Sequence, residues 1–388
     1  MASITKRPNG SWRARYRDPS GRERAQHFAR KVDAQRWLDE MTTSLVTGTY
    51  IDPHAGRIAF RDYVELRWLP AQVHLRPSTQ ALYAQHLKNH IFPKFGTRSL
   101  GSLRRPDMKA FVAQIAARLA PSTTHTVYAV VRSVMQSAVD DELIPANPCS
   151  RVPLPRVDPR VVEPLPAASV LALRDAITPR YAIAVLLGAA AGLREGEVLG
   201  LLVSRVDFLR RRIHVEQQLT SPTGQEPRLA PLKTKASRRI VPVDDIVLEA
   251  ISEHLRRWPT GESGLLLSNR LGDPVRKSSF INRWAAAVAS AGVPRGTRFH
   301  DLRHFYASTL IAANLHPKTI QARLGHASIT ETLDTYGHLF PMAEEEGRGV
   351  LDRILGSQAA LAIRVPSDAL QMERNQTNTA ARNVIRSE

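Results

Sequence analysis

Seven prolines fall between Pro145 and Pro166, interleaved with bulky basic residues such as Arg151, Arg156 and Arg160 and without any helical period. Proline fixes φ and removes a backbone donor, so neither a helix nor a central strand can run through such a stretch. The run therefore predicts an extended, semi-rigid connector and divides the chain into separate folding units. A length of 388 residues fits two or three domains, and an apolar share of 43% suffices to give them cores.

The segment before Gly48 carries ten Lys/Arg against five Asp/Glu. Asn9-Gly10 and Asp18-Pro19-Ser20-Gly21 are turn signals. Between them Trp12, Ala14 and Tyr16 alternate with Arg13, Arg15 and Arg17, which predicts a strand with one apolar face and one arginine face. Ala34, Trp37, Leu38, Met41 and Leu45 then recur at helical spacing. The expectation is a small three-stranded sheet backed by one helix over residues 1–55. Three guanidiniums in a row repel one another unless phosphates or bases meet them, so Arg13, Arg15 and Arg17 are expected to contact DNA, with a solvated face on a small domain as the competing reading.

After a linker from Thr49 to Ile58, residues 59–147 read as four helices. Pro77-Ser78, Pro106-Asp107 and Pro121-Ser122 supply helix starts. Beyond the connector, 148–166, a larger mixed domain spans 167–355. It opens with helices, reads as a β-hairpin from Arg212–Val215 to Arg239–Pro242, and returns to helices. The polar, weakly patterned stretch 356–388 reads as a loosely held tail. The fold class is thus multidomain and mainly α with small β-sheets.

Three separated segments of the large domain carry chemistry. In Gly192-Leu193-Arg194-Glu195-Gly196-Glu197, an arginine follows an apolar run directly, where an anion would stabilise it. An Arg194–Glu197 pair closing a helix end is the competing reading. In Phe299-His300-Asp301-Leu302-Arg303-His304, His300 and Arg303 share a helix face one turn apart. His304, four residues past His300, raises a metal site, but a zinc hydrolase needs Glu where Asp301 stands. The third segment is Leu324-Gly325-His326, with Tyr336 ten residues past the histidine.

In this order the set Arg…His-x-x-Arg…Leu-Gly-His…Tyr resembles the tyrosine recombinase family, of the phage integrase type. Leu232-Lys233-Thr234-Lys235-Ala236-Ser237-Arg238-Arg239, followed by Ile240-Val241-Pro242, is similar to the family's hairpin with its catalytic lysine, assigned to Lys233 with Lys235 as the alternative. The helical region and connector stand where the family places its core-binding domain, and the basic first module resembles an arm-binding domain. The resemblance runs from about Ser3 to Leu355.

It implies strand cleavage by transesterification, with Tyr336 attacking a phosphodiester to leave a 3′-phosphotyrosyl bond. Arg194, Arg303 and His326 would hold the phosphate and Lys233 would protonate the departing 5′-oxygen. His300 would take the tyrosine proton, while Glu197 would orient Arg194 or His300. Lys235, Arg238 and Arg239 would track the DNA backbone. No metal or cofactor is implied. The implied partners are double-stranded DNA at core and arm sites, three further copies of the chain in a tetramer, a directionality factor and a host DNA-bending protein. The apolar stripe Gly349–Leu355 would dock on a neighbouring copy or pack within its own chain. Rival readings are a type IB topoisomerase-like relaxing enzyme, a DNA-binding regulator with a decayed site, and a zinc hydrolase using His300, His304 and His326.

A net charge of +18, from 54 Lys+Arg and 36 Asp+Glu, agrees with a polyanionic partner. One cysteine, Cys149, excludes an intramolecular disulfide, and no ~18-residue apolar stretch is present. A cytoplasmic, nucleoid-associated protein without a membrane partner is expected.

Overall fold

The computed structural model describes residues 2–48, 50–52, 54–158, 161–221, 225–232, 234–340 and 351–355. Its buried apolar side chains gather into three separate cores, one for each stretch of patterned sequence.

Strands β1 (Ser3–Lys6), β2 (Trp12–Arg17) and β3 (Glu23–Phe28) form an antiparallel meander in which Ser3 faces Arg15 and Arg17 faces Glu23. Ala14 and Tyr16 bury their side of β2 against Ala34 and Leu38 of the helix Lys31–Val46. The arginine side differs from expectation. Glu23 pairs with Arg13 at 2.9 Å and with Arg15 at 3.3 Å, so a carboxylate already lies between two of the three guanidiniums. Mutual repulsion is therefore relieved within the module and does not by itself demand DNA. The sheet also holds part of the expected linker, because Tyr50 and Tyr16 share a hydroxyl hydrogen bond of 3.0 Å and Asp52 pairs with Arg24.

The second core is helical. Phe60–Tyr63 runs through a π turn, Val64–Trp68, into Leu69–Ala71. Pro77–His86 likewise runs through Leu87–Ile91 into Phe92–Phe95. Arg105–Ala116 and Pro121–Asp140 complete the group, with Pro77, Pro106 and Pro121 in first turns where a missing N–H costs nothing. Phe60, Trp68, Phe95, Phe111 and Val131 fill the centre.

The proline-rich run is shared out. Tyr128 Oη donates to the Cys149 carbonyl at 2.9 Å, His125 Nε2 meets the Pro155 carbonyl at 2.8 Å, and Val152 and Leu154 pack on the helical core. Val162 and Leu165 pack instead on the third core, where His338 Nε2 meets the Val162 carbonyl at 2.9 Å. Prolines keep the segment extended, and its apolar residues are claimed from both ends.

In the third unit the helices Ala167–Ala176 and Ala182–Ala191 precede a short helix, Glu195–Leu199. Strands β4 (Val206–Asp207), β5 (Arg212–Val215) and β8 (Arg239–Pro242) pair in the order β4-β5-β8. Strands β6 (Gln217–Thr220) and β7 (Arg228–Pro231) make a separate two-stranded ribbon. The expected hairpin of β5 and β8 is thus antiparallel pairing across an inserted ribbon, since the next strand after β5 turns away to pair with β7. Helices Asp245–Arg257, Lys277–Ser290, Phe299–Ala312, Pro317–Leu324 and Ile329–Tyr336 follow. Gly188 lets Ala182–Ala191 and Phe299–Ala312 approach closely, because a Cβ there would lie 2.9 Å from Leu302.

Residues 351–355 are helical, and Leu351, Ile354 and Leu355 are exposed. Gly349, Val350 and the stretch 356–388 lie outside the described residues. Among the described residues no helix is long and apolar enough to cross a membrane.

Candidate active site

The apolar helix Ala182–Ala191 ends at Gly192, whose φ of 62° reverses the chain. A side chain there would strike Tyr306 at 2.4 Å, so glycine answers both a backbone and a space requirement. The reversal leaves Arg194 as the residue that opens the helix Glu195–Leu199. Glu197 accepts the Arg194 backbone N–H at 2.9 Å and its Nη1 at 2.9 Å. Arg194 Nη2 also donates to the Gly325 carbonyl at 3.4 Å.

Glu197 is buried, and its second guanidinium is Arg239 of β8. Arg239 Nη1 and Nη2 donate to the two carboxylate oxygens at 3.1 and 2.8 Å, and Nε donates to the Arg323 carbonyl at 2.7 Å. Burial alone would raise the Glu197 carboxyl. Arg239's hydrogen bonds and the charges of Arg239 and Arg194 outweigh it and hold the pKa at about 2. Glu197 therefore holds the backbone and guanidinium of Arg194, and among the hydrogen bonds of the described residues none joins it to His300. Arg239 corrects the expectation of a DNA-contacting cation. At 8% exposure and fork-to-fork on Glu197, it is a support of the site's interior. Lys235 and Arg238 are exposed, while Lys233 lies outside the described residues.

Arg303 is 1% exposed on the helix Phe299–Ala312. It donates to the Gly192 carbonyl at 2.7 Å and to the Leu324 carbonyl, and its buried Nε has no partner among the described residues. Burial, then the charges of Arg194 and Arg239, pushes this guanidinium below its ordinary value, with Glu197 opposing. Two guanidiniums thus bind one carboxylate while a third, Arg303, feels only its charge, and the surplus of positive charge is a place for an anion.

The helix Pro317–Leu324 stops at Gly325, which has φ of 67°. A Cβ on Gly325 would lie 3.0 Å from Arg239 Cδ and 3.1 Å from the Ala236 carbonyl. That close approach delivers His326 beside the arginines. His326 is buried, its Nδ1 shares a 2.9 Å hydrogen bond with Thr332 Oγ1, and burial followed by the charges of Arg303 and Arg194 lowers its pKa to about 3.

Tyr336 ends the helix Ile329–Tyr336 and is 1% exposed. Its ring lies parallel to that of His326, with centroids 6.4 Å apart. Burial raises its pKa to about 12, against the lowering effect of Arg303 and Arg194. The hydroxyl shares a 2.8 Å hydrogen bond with Nδ1 of His304, not with His300. His300 stands at the exposed rim, edge-on to His304 with ring centroids 4.7 Å apart. Burial of its ring's inner side, then His304, Arg303 and Arg194, lowers its pKa to about 4.

The fold therefore gathers Arg194, Glu197, His300, Arg303, His326 and Tyr336, and it adds three residues in roles that sequence reading did not assign: His304, Arg239 and Thr332. His304 was visible only as a possible metal ligand by its spacing from His300; its partner is 32 residues away. Among the described residues no group of three or more His, Cys, Asp or Glu is placed to hold a metal ion. Arg13, Arg15 and Arg17 belong to the first module, which has its own core.

Family models match most of the chain: the phage integrase N-terminal domain over residues 2–47, the phage integrase central domain over 60–153 and the phage integrase family over 160–342. The integrase of Mycobacterium phage L5 is 28% identical over 341 residues, covering 84% of this chain and 90% of that protein. The ICEBs1 integrase of Bacillus subtilis is 29% identical over 258 residues, or 61% of this chain and 67% of its own length. Among solved structures, the Tn1549 transposon integrase in complex with transposon right end DNA superposes with a TM-score of 0.65 at 20% identity, covering 77% of this chain and all of that one. A lambda integrase tetramer bound to a Holliday junction gives 0.57 at 17% identity, over 87% and 94%.

Proposed function

The chain belongs to the phage integrase family of tyrosine recombinases and is a site-specific DNA recombinase, and from that premise we propose that it integrates or excises a phage or other mobile element through a covalent 3′-phosphotyrosyl intermediate. The observation that carries this reading is the surplus of guanidinium charge at half-buried Arg194 and buried Arg303, both close enough to act on the buried hydroxyl of Tyr336.

A scissile phosphate seated there meets the forks of Arg194 and Arg303, and His326 adds a neutral donor. These groups stabilise the charge that develops on the non-bridging oxygens. Tyr336 Oη forms a bond to phosphorus as the bond to the 5′-oxygen breaks. Lys233, by family resemblance, gives its proton to that oxygen. The tyrosine proton passes to an imidazole of the His300–His304 segment. Attack by the 5′-hydroxyl of a second strand reverses each transfer and restores the diester, so the energy of the broken bond is retained in the phosphotyrosine.

The supporting sphere follows from the same geometry: Glu197 fixes Arg194, and Arg239 fixes Glu197. Duplex DNA at a core site lies against the third and second units, with Lys235 and Arg238 on its backbone. The first module takes a distal arm through Arg13, Arg15 and Arg17. Four copies act together on two duplexes, with a directionality factor and a host DNA-bending protein as accessory partners. The Tn1549 integrase bound to transposon right end DNA and the lambda integrase tetramer bound to a Holliday junction support the DNA contact and the action of four copies.

A plasmid bearing two direct copies of a core site provides the test. The protein should resolve it into two circles in EDTA and without ATP. Relaxation of a site-free supercoiled plasmid with no resolution would instead indicate a topoisomerase-like enzyme.

A further inference from the structure

Tyr336 is almost completely enclosed, so only groups already inside the site can receive its proton. Among the described residues one side chain is hydrogen-bonded to its hydroxyl: His304, through Nδ1 at 2.8 Å. The two rings meet edge to face, with centroids 5.6 Å apart and planes at 66°, which brings the imidazole nitrogen to the edge that bears the hydroxyl. His326, the other ring beside Tyr336, lies parallel to it at 6.4 Å and turns Nδ1 to Thr332. His300 stacks edge-on against the far partner of this pair, His304, at the rim.

We propose that His304, and not His300, is the catalytic residue that removes the Tyr336 proton and later returns it. The proposal rests on the recombinase reading given above. In the cleavage step the Tyr336 O–H donates to unprotonated Nδ1. As the Oη–phosphorus bond forms and the phosphorus–O5′ bond breaks, that proton moves to Nδ1, making an imidazolium, and Lys233 supplies a proton to O5′. In the joining step the incoming 5′-hydroxyl gives its proton to Lys233 and bonds to phosphorus. The tyrosyl oxygen leaves and takes its proton back from His304, so charge and protons balance over the cycle. His300, one helical turn before Arg303 and at the open side, is left to donate to the phosphate.

The position of His304 is itself built into the fold. The residue after Arg303 turns roughly 100° around the helix from it, so one helix offers a guanidinium to the phosphate and an imidazole to the nucleophile at once. The hydrogen bond ties the end of Ile329–Tyr336 to the middle of Phe299–Ala312, and thereby sets the hydroxyl in place before DNA arrives.

Single-turnover cleavage of a nicked suicide duplex carrying the core site, made with either oxygen or sulfur at the bridging 5′ position, separates the roles. Sulfur leaves without an acid, so it reports the nucleophile's side alone. His304→Ala should slow cleavage about 100-fold or more on both duplexes, with DNA binding unchanged, and added imidazole should restore part of the rate. His304→Asn keeps an oxygen near the Nδ1 position and can hold the hydroxyl but not accept its proton. It should remain at least tenfold slow and lose the acid limb of the pH–rate profile. Lys233→Ala should be slow with oxygen and near wild type with sulfur. Cleavage by both His304 variants within twofold of wild type, or a sulfur-insensitive loss confined to His300→Ala, would overturn the proposal. Absence of any adduct with the wild type would instead overturn the recombinase reading on which it rests.

Discussion

Glu197 is the residue on which the charges of the site converge, with Arg194 on one side and Arg239 on the other. Its folded pKa of about 2 lies below the ordinary 4.5, so it contributes stability above pH 4.5 that is lost as the pH falls towards 2. That shift corresponds to about 3 kcal/mol. Glu197→Gln should lower unfolding stability at pH 7 by an amount of that order and flatten the acid dependence between pH 4.5 and 2, measured by urea titration at a series of pH values. Gly325→Ala forces an L side chain into a positive φ and against Arg239. It should cost about 1–3 kcal/mol and slow cleavage through displacement of His326, which paired unfolding and single-turnover measurements would register. Arg194, Arg303, His326 and Tyr336 were legible in the sequence because few residue types can hold or attack a phosphate, and their order along the chain is distinctive. Arg239 and His304 were not, because what each does is decided by a partner 42 or 32 residues away. A basic residue in a basic run looks like a DNA contact until a buried carboxylate is found opposite it.

Elements show the same division between local and distant causes. The helix starts at Pro77, Pro106 and Pro121 and the turns at Gly10 and Gly21 are local chemistry, and the chain reads them as written. The pairing of β5 with β8 across the β6–β7 ribbon is not local, since either strand has the composition to pair with its neighbour in sequence. The packing of Ala182–Ala191 on Phe299–Ala312 is likewise a tertiary fact, and it carries Arg194 and Arg303 towards one another. Gly188→Val would drive a branched side chain into Leu302 and Phe299, where even a Cβ comes within 2.9 Å. Overpacking of this kind costs about 1–3 kcal/mol. The variant should therefore melt earlier and cleave more slowly while binding DNA nearly as well, a pattern that calorimetry and gel-shift titration together would reveal.

Across the whole molecule there are three separate cores, and the proposed function gives each unit its own contribution to DNA binding. Because Tyr50 and Asp52 are tied to the first sheet, the natural cut falls after residue 54 and not at Gly48. Removing residues 1–54 should abolish binding to distal arm DNA and leave binding to the core duplex within about threefold, with a shallower salt dependence as phosphate contacts are lost. Equal loss at both sites would show that the first module is not an independent arm binder. On the proposed function the net charge of +18 serves mostly such contacts, whereas Arg194 and Arg303 are assigned to the reacting phosphate. The central claim is that Tyr336 becomes covalently joined to DNA. Incubation with a nicked suicide duplex followed by SDS gel electrophoresis and peptide mapping should yield a protein–DNA adduct at Tyr336 in the wild type and none in Tyr336→Phe. An adduct of equal yield in Tyr336→Phe would contradict the account.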